Sequence, residues 1–161
     1  MRKSIQVGLI SLSTANAWYG QDMNGTIRAV CAPSLENKDS AQSSIWIDFK
    51  QLEDAPATMN AFLSFPDTNG SYSLELREYA NIECQGKPLT TVGPVAASGQ
   101  GRGKLSVQDL GRYRLSGADT IIGSHVSLID AQNFQVACCE IKEHRQFWRE
   151  KRASEDTQID Q

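Results

Sequence analysis

The stretch LSGADTIIGSHVSLIDAQNFQVACCEI, residues 115–141, decides the fold. It has the pattern of two β-strands joined by a very short link. Thr120, Ile121 and Ile122 open the first run, Gly123 interrupts it, and Val126, Leu128 and Ile129 continue it. The second run, Phe134 to Ile141, carries Val136, Ala137, Cys138, Cys139 and Ile141. β-Branched and small apolar residues suit a pleated, half-buried surface. The link Asp130-Ala131-Gln132-Asn133 is polar and turn-forming.

Working outward, more short strands emerge. Ile27 to Cys31 forms a first one, and Pro33 to Ser44 is loop-like. Ser44 to Lys50 alternates, with Ile45, Ile47 and Phe49 on one face and Trp46, Asp48 and Lys50 on the other. Thr58 to Phe65 follows, closed by a turn at Pro66-Asp67-Thr68-Asn69-Gly70. Tyr72 to Tyr79 alternates again: Tyr72, Leu74 and Leu76 share a face with Glu78, and Ser73, Glu75, Arg77 and Tyr79 share the other. Cys84 to Gly103 predicts loops around a short strand near Val92 to Ala97. Its Gly99–Gly103 run is not followed by an apolar helical pattern, so it is a hairpin turn rather than a nucleotide loop. Lys104 to Leu110 places Leu105 and Val107 on one face. Short strands at this spacing, punctuated by turns, predict an all-β sandwich or Greek-key barrel.

At 161 residues the chain suits one domain, large enough to bury a core unaided. A formal charge of −3 and no basic stripe interleaved with aromatics argue against a nucleic-acid partner. No apolar run is long enough to span a bilayer as a helix, so no membrane partner is expected. Residues 1–24 are either a signal peptide or an N-terminal extension. Met1-Arg2-Lys3 is basic, Ile5 to Leu12 is diluted apolar, and Ala15-Asn16-Ala17 has the form of a cleavage site. The sequons Asn24-Gly25-Thr26 and Asn69-Gly70-Ser71 add weight to secretion, with a cytoplasmic protein as the alternative. Residues 142–161 form a charged tail, read as a short exposed helix or frayed end. Phe147 and Trp148 within it are the anchors if it binds a partner. The cysteines Cys31, Cys84, Cys138 and Cys139 contain no C-x-x-C pair, which speaks against a structural zinc site. On a strand Cys138 and Cys139 point to opposite faces and cannot share a partner. All four as small buried hydrophobes is the other reading.

Residues 115–141 resemble the copper/zinc superoxide dismutase family. There a block of the form L-S-G-x-x-x-I-I-G-R-x-L-V-V-H-E precedes R-L-A-C-G-V-I. Leu115-Ser116-Gly117 with Ile121-Ile122-Gly123 matches the first, and Val136-Ala137-Cys138 with Ile141 the second. The resemblance extends more weakly from about Thr26 to Ile141. It implies an immunoglobulin-like Greek-key β-barrel or sandwich of the copper/zinc superoxide dismutase type over residues 25–141. It further implies a Cys84–Cys138 disulfide and a buried free thiol at Cys31.

The same resemblance implies a copper and a zinc ion, whose family site uses six histidines and an aspartate. This chain has two histidines, His125 and His144. Two copper-binding histidines become Glu75 and Arg77, and the last one falls at Ile129. A zinc histidine becomes Thr91 and the zinc aspartate Pro94. An arginine repels a cation and cannot ligate it. The family's substrate-guiding arginine becomes Gln135. His125 lies about 13 Å along the strand from Ile129, too far to replace it, and is expected to be structural or surface-exposed. Glu75 and Arg77, two apart on one strand face, are expected to pair where the metal would sit.

No other catalytic constellation stands in for the missing one: there is no G-x-S-x-G elbow and no phosphate-cradling loop. The expectation is therefore a dismutase-related barrel with no catalytic residues, no metal and no cofactor, acting by binding or regulation. A protein partner is expected, of unknown identity. Alternatives are a divergent copper-binding dismutase, and a decoy engaging partners of true dismutases such as their copper chaperone. A family-type homodimer is doubtful, because the equivalent run is the charged Cys139-Glu140-Ile141-Lys142-Glu143.

Overall fold

The structure is a computed structural model and describes residues 25–33, 43–53, 55–65, 70–80 and 84–159. The N-terminal segment 1–24, both sequon asparagines and most of the turn at 66–70 lie outside the described residues. The elements are β1 (Thr26–Cys31), β2 (Ser44–Leu52), β3 (Thr58–Ser64), β4 (Ser71–Arg77), β5 (Pro88–Ala96), β6 (Arg102–Val107), β7 (His125–Asp130), β8 (Gln135–Glu143) and α1 (His144–Ile159). The strands are ordered β5-β4-β7-β8-β1-β2-β3-β6, and every strand ladder is antiparallel. The β1–β8, β4–β7 and β3–β6 pairings join strands distant in sequence, which is a Greek-key arrangement. The protein is an all-β, nearly closed Greek-key barrel with one helix appended.

Two-residue periodicity builds the core. Ile45, Ile47 and Phe49 of β2 meet Met59, Ala61 and Leu63 of β3. Tyr72, Leu74 and Leu76 of β4, Val126 and Leu128 of β7, and Cys139 and Ile141 of β8 complete it. The barrel stays open between its end strands, β5 and β6, which share no ladder. Side chains fill that seam. A Cβ at Gly103 would come within 2.7 Å of Val95 Cγ1 and 2.6 Å of the Phe65 ring, so only glycine lets the two strands approach.

The connection from β6 to β7, residues 108–124, folds over one end of the barrel. It buries Leu110, Leu115 and Ile121. Buried Gln51 holds it: its Oε1 accepts from the Leu115 amide at 2.5 Å, and its Nε2 donates to Glu53 O at 2.6 Å. The Thr120–Ile122 run therefore belongs to this plug and not to the strand. Gly123, at φ 85°, turns the chain before β7 begins at His125. The β7–β8 turn is an aspartate-capped hairpin, with Asp130 Oδ1 accepting from the amides of Gln132 (2.9 Å) and Phe134 (2.8 Å). β5 starts at Pro88, four residues before the predicted Val92.

Cys31 is not a free thiol. It is bonded to Cys139, with Cα atoms 5.4 Å apart. Alternation points both side chains into the core from adjacent strands, and Cys31 pairs in register with Ile141, two residues from Cys139. The β1–β8 ladder holds only three residue pairs, so this bridge reinforces a short junction.

The charged tail is largely the sixteen-residue helix α1. Its first turns dock on the barrel. Phe147 meets Trp46 edge-on at 5.7 Å, and Lys142 Nζ lies 2.6 Å from Glu150 Oε2. Trp148 Nε1 donates to His144 Nε2 at 2.8 Å. Among the described residues no helix is long and apolar enough to cross a membrane.

Candidate functional site

The positions singled out by the sequence lie on the outer face of β5, β4, β7 and β8. Inward residues of β4 and β7 are core, so Ser73, Glu75, Arg77, His125, Ser127 and Ile129 point the other way. Register sorts them into rows. Arg77 stands beside His125, and His125 beside Glu140. Glu75 stands beside Ser127, and Ser127 beside Cys138. Ser73 stands beside Ile129, and Ile129 beside Gln135. On the other flank Thr91 is opposite Glu75 and Pro94 opposite Ser73. Neighbouring strands are about 4.8 Å apart. Glu75, Arg77, Ile129, Thr91 and Pro94 thus form one contiguous patch.

At its centre Arg77 Nη2 donates to Glu75 Oε2 at 2.6 Å, with side chains only 20% and 17% exposed. Arg77 Nη1 donates to the Gly86 carbonyl at 3.2 Å. That carbonyl belongs to the described end of the β4–β5 connection, Cys84–Lys87, which lies against the patch. The Glu78 amide donates to Lys87 O at 2.9 Å. A Cβ at Gly86 would sit 1.9 Å from Glu78 O, so this approach requires glycine. Cys84, at φ 65°, is bonded to Cys138 with Cα atoms 6.2 Å apart, which fastens the loop to β8.

His125 is 3% exposed, so it is buried and not at the surface. Tyr79 stacks near it with ring centroids 6.3 Å apart. His125 Nδ1 and Arg77 Nε are buried without a hydrogen-bond partner among the described residues. Alternation along β7 places His125 on the outer face between Arg77 and Glu140, and the Tyr79 ring that meets it there follows β4 in a segment strand periodicity does not describe. Ser127, not singled out by the sequence, is fully buried, and its Oγ donates to Gln135 Oε1 at 2.8 Å. An amide oxygen is no general base, and His125 sits two residues, about 6.8 Å, along the strand. Serine and histidine therefore form no nucleophile–base pair.

The residues present do not fit copper or zinc. Glu75 is closed by its own cation, Ile129 is an apolar core-type side chain, and Pro94 offers no side-chain donor. The guanidinium of Arg77 would face any metal placed here. Among the described residues no three His, Cys, Asp or Glu side chains gather as a ligand group.

The fold and the patch define a Greek-key barrel with a closed, ion-paired outer face. No family model matches the chain. No curated protein matches it. Among solved structures it is similar to the clock protein EA4, at 16% identity and a TM-score of 0.54, over 76% of this chain and 98% of that one. At that identity the likeness concerns the fold alone.

Proposed function

We propose that this protein is a metal-free relative of the copper/zinc superoxide dismutases, without dismutase activity, that works by binding or regulation. The observation that carries the reading is the Glu75–Arg77 ion pair at 2.6 Å, closed over by the Gly86 carbonyl. These two residues stand where the resemblance puts two copper ligands. A buried, hydrogen-bonded ion pair substitutes for a metal as the polar content of such a site, and removing either partner strands the other charge. The two disulfides are compatible with an extracellular protein, and secretion is part of the proposal.

The test is metal loading beside superoxide consumption. The folded chain, offered copper and zinc under oxidising conditions and then dialysed, is expected to retain far less than one equivalent of either. It is expected to consume superoxide no faster than a buffer control. One retained copper per chain with accompanying activity would overturn the reading.

A further inference from the structure

The junction between β8 and α1 carries a hydrogen bond that fixes where a proton can sit. The indole Nε1–H of Trp148 can only donate, and it donates to His144 Nε2 at 2.8 Å. The imidazole keeps this bond only while Nε2 holds a lone pair. A second proton on the ring removes the acceptor. It also places a cation in the first turn of α1, at the positive end of the helix dipole.

The acids around His144 are already engaged. Glu140 and Lys142 are outward positions of β8 and His144 continues their face, whereas Glu143 shares the parity of buried Cys139 and Ile141 and points the other way. Lys142 Nζ lies 3.8 Å from Glu140 Oε2 and 2.6 Å from Glu150 Oε2, so one ammonium serves the acids of both β8 and the helix. On β1, Arg28 falls one position beyond the Ala29–Glu143 pair, beside His144. On β2, Asp48 accepts from the Trp46 indole at 3.3 Å. Within α1 the charged neighbours are Arg145, the next residue, and Lys151, whose ammonium is 4.9 Å from the Trp148 ring centre.

The helix depends on its docked first turns. It has no acid in its first turn and no base in its last, and Arg145, Arg149, Glu155 and Asp156 run against its dipole. It packs on β1 and β8. Val30, an outward residue of β1 between Asp48 and Lys142, is 1% exposed there, and Phe147 meets Trp46. We propose that His144 is a pH-sensitive latch: protonation at Nε2 breaks the bond to Trp148, undocks the first turns of α1 and uncovers the apolar strip of Val30 and Trp46. The docked helix takes the neutral ring. The latch is therefore closed at high pH and opens as pH falls through the range in which imidazoles become charged. It is independent of the dismutase resemblance.

The experiment is a pH titration of the nitrogen-15-labelled full chain from pH 8 to pH 5.5, following the tryptophan indole N–H signals by NMR. Glu150, held below its ordinary 4.5, stays ionised over this range. Trp148→Phe identifies the Trp148 signal. That signal is expected to shift in step with the His144 ring, the docked-to-undocked ratio falling about tenfold on full protonation. His144→Gln keeps an acceptor that takes up no proton and is expected to hold α1 docked throughout; any response from His125 persists in this variant and is thereby separated. A Trp148 signal indifferent to pH, or equally responsive in His144→Gln, would overturn the proposal. So would a charged His144 with the tryptophans as protected from acrylamide at pH 5.5 as at pH 8.

Discussion

Glu75 and Arg77 are four-fifths buried, share a strand face and are anchored by a backbone carbonyl. Exposed pairs contribute little because water and side-chain entropy cancel the attraction. Here the loop excludes much of the water, so a double-mutant cycle on Glu75→Gln and Arg77→Gln is expected to give a coupling of about 1–2 kcal/mol. Arg77→Gln should be the more damaging single change, because it strands the carboxylate and takes the donor from Gly86 O. Denaturant unfolding of the three variants measures this; a coupling near zero would mean the loop does not shield the pair. The pair itself was legible from two-residue spacing. The Cys31–Cys139 bond was legible in principle too, since alternation turns both thiols inward. Assigning Cys31 as unpaired followed the family pattern in place of that geometry, and the pattern lacks a cysteine at the second position.

At the scale of the element, α1 is held to β8 by Lys142 and Glu150. The ammonium and amide hydrogen bonds from Lys142 and Gln146 lower the Glu150 carboxyl below its ordinary value of 4.5. The folded form thus prefers the ionised carboxylate. This support is complete above the ordinary value and fades as pH falls through the lowered one. Glu150 is exposed and Lys142 half-buried, so the effect is small and screened by salt. Acidification from pH 6 to pH 3 should loosen the first turns of α1, read as a change in fluorescence of Trp148 and Trp46, and Lys142→Met should remove most of that response. Elements with clean alternation, such as β2 and β4, are predicted to within two residues at each end. β5 was truncated because Pro88, Thr90 and Gly93 dilute its pattern. β7 was begun too early because Thr120, Ile121 and Ile122 have strand composition, yet Ile121 is buried as part of the barrel plug. Composition reports that a residue is buried, not which element buries it.

Across the molecule the two disulfides work on different layers. Cys31–Cys139 spans 108 residues inside the core, and Cys84–Cys138 spans 54 residues on the outer face. Loop entropy alone assigns them about 5 and about 4 kcal/mol. Partial reduction followed by alkylation and mass mapping should label Cys84 and Cys138 first. Cys138 is only half-buried, whereas both core sulfurs lie on residues with no exposed surface. Cys31→Ala/Cys139→Ala should lower the melting temperature more than Cys84→Ala/Cys138→Ala. The reverse order would mean that the outer loop carries more of the global stability than its position suggests. The barrel as a whole was legible because strand number, turn spacing and core alternation agree. The covered outer face was not, because it depends on contacts far from strand periodicity: the Gly86 carbonyl against Arg77 and the Cys84–Cys138 bond.

The open seam carries a hazard for the protein in a crowded solution. An unclosed barrel presents two free sheet edges, and free edges recruit other chains into fibres. β5 meets that hazard with Pro88 and Pro94, residues tolerated in sheets chiefly at edges. β6 meets it with Arg102 and Lys104, whose like charges repel a second copy approaching in the same way. Protection against edge-to-edge pairing is thus written into the two strands that fail to meet.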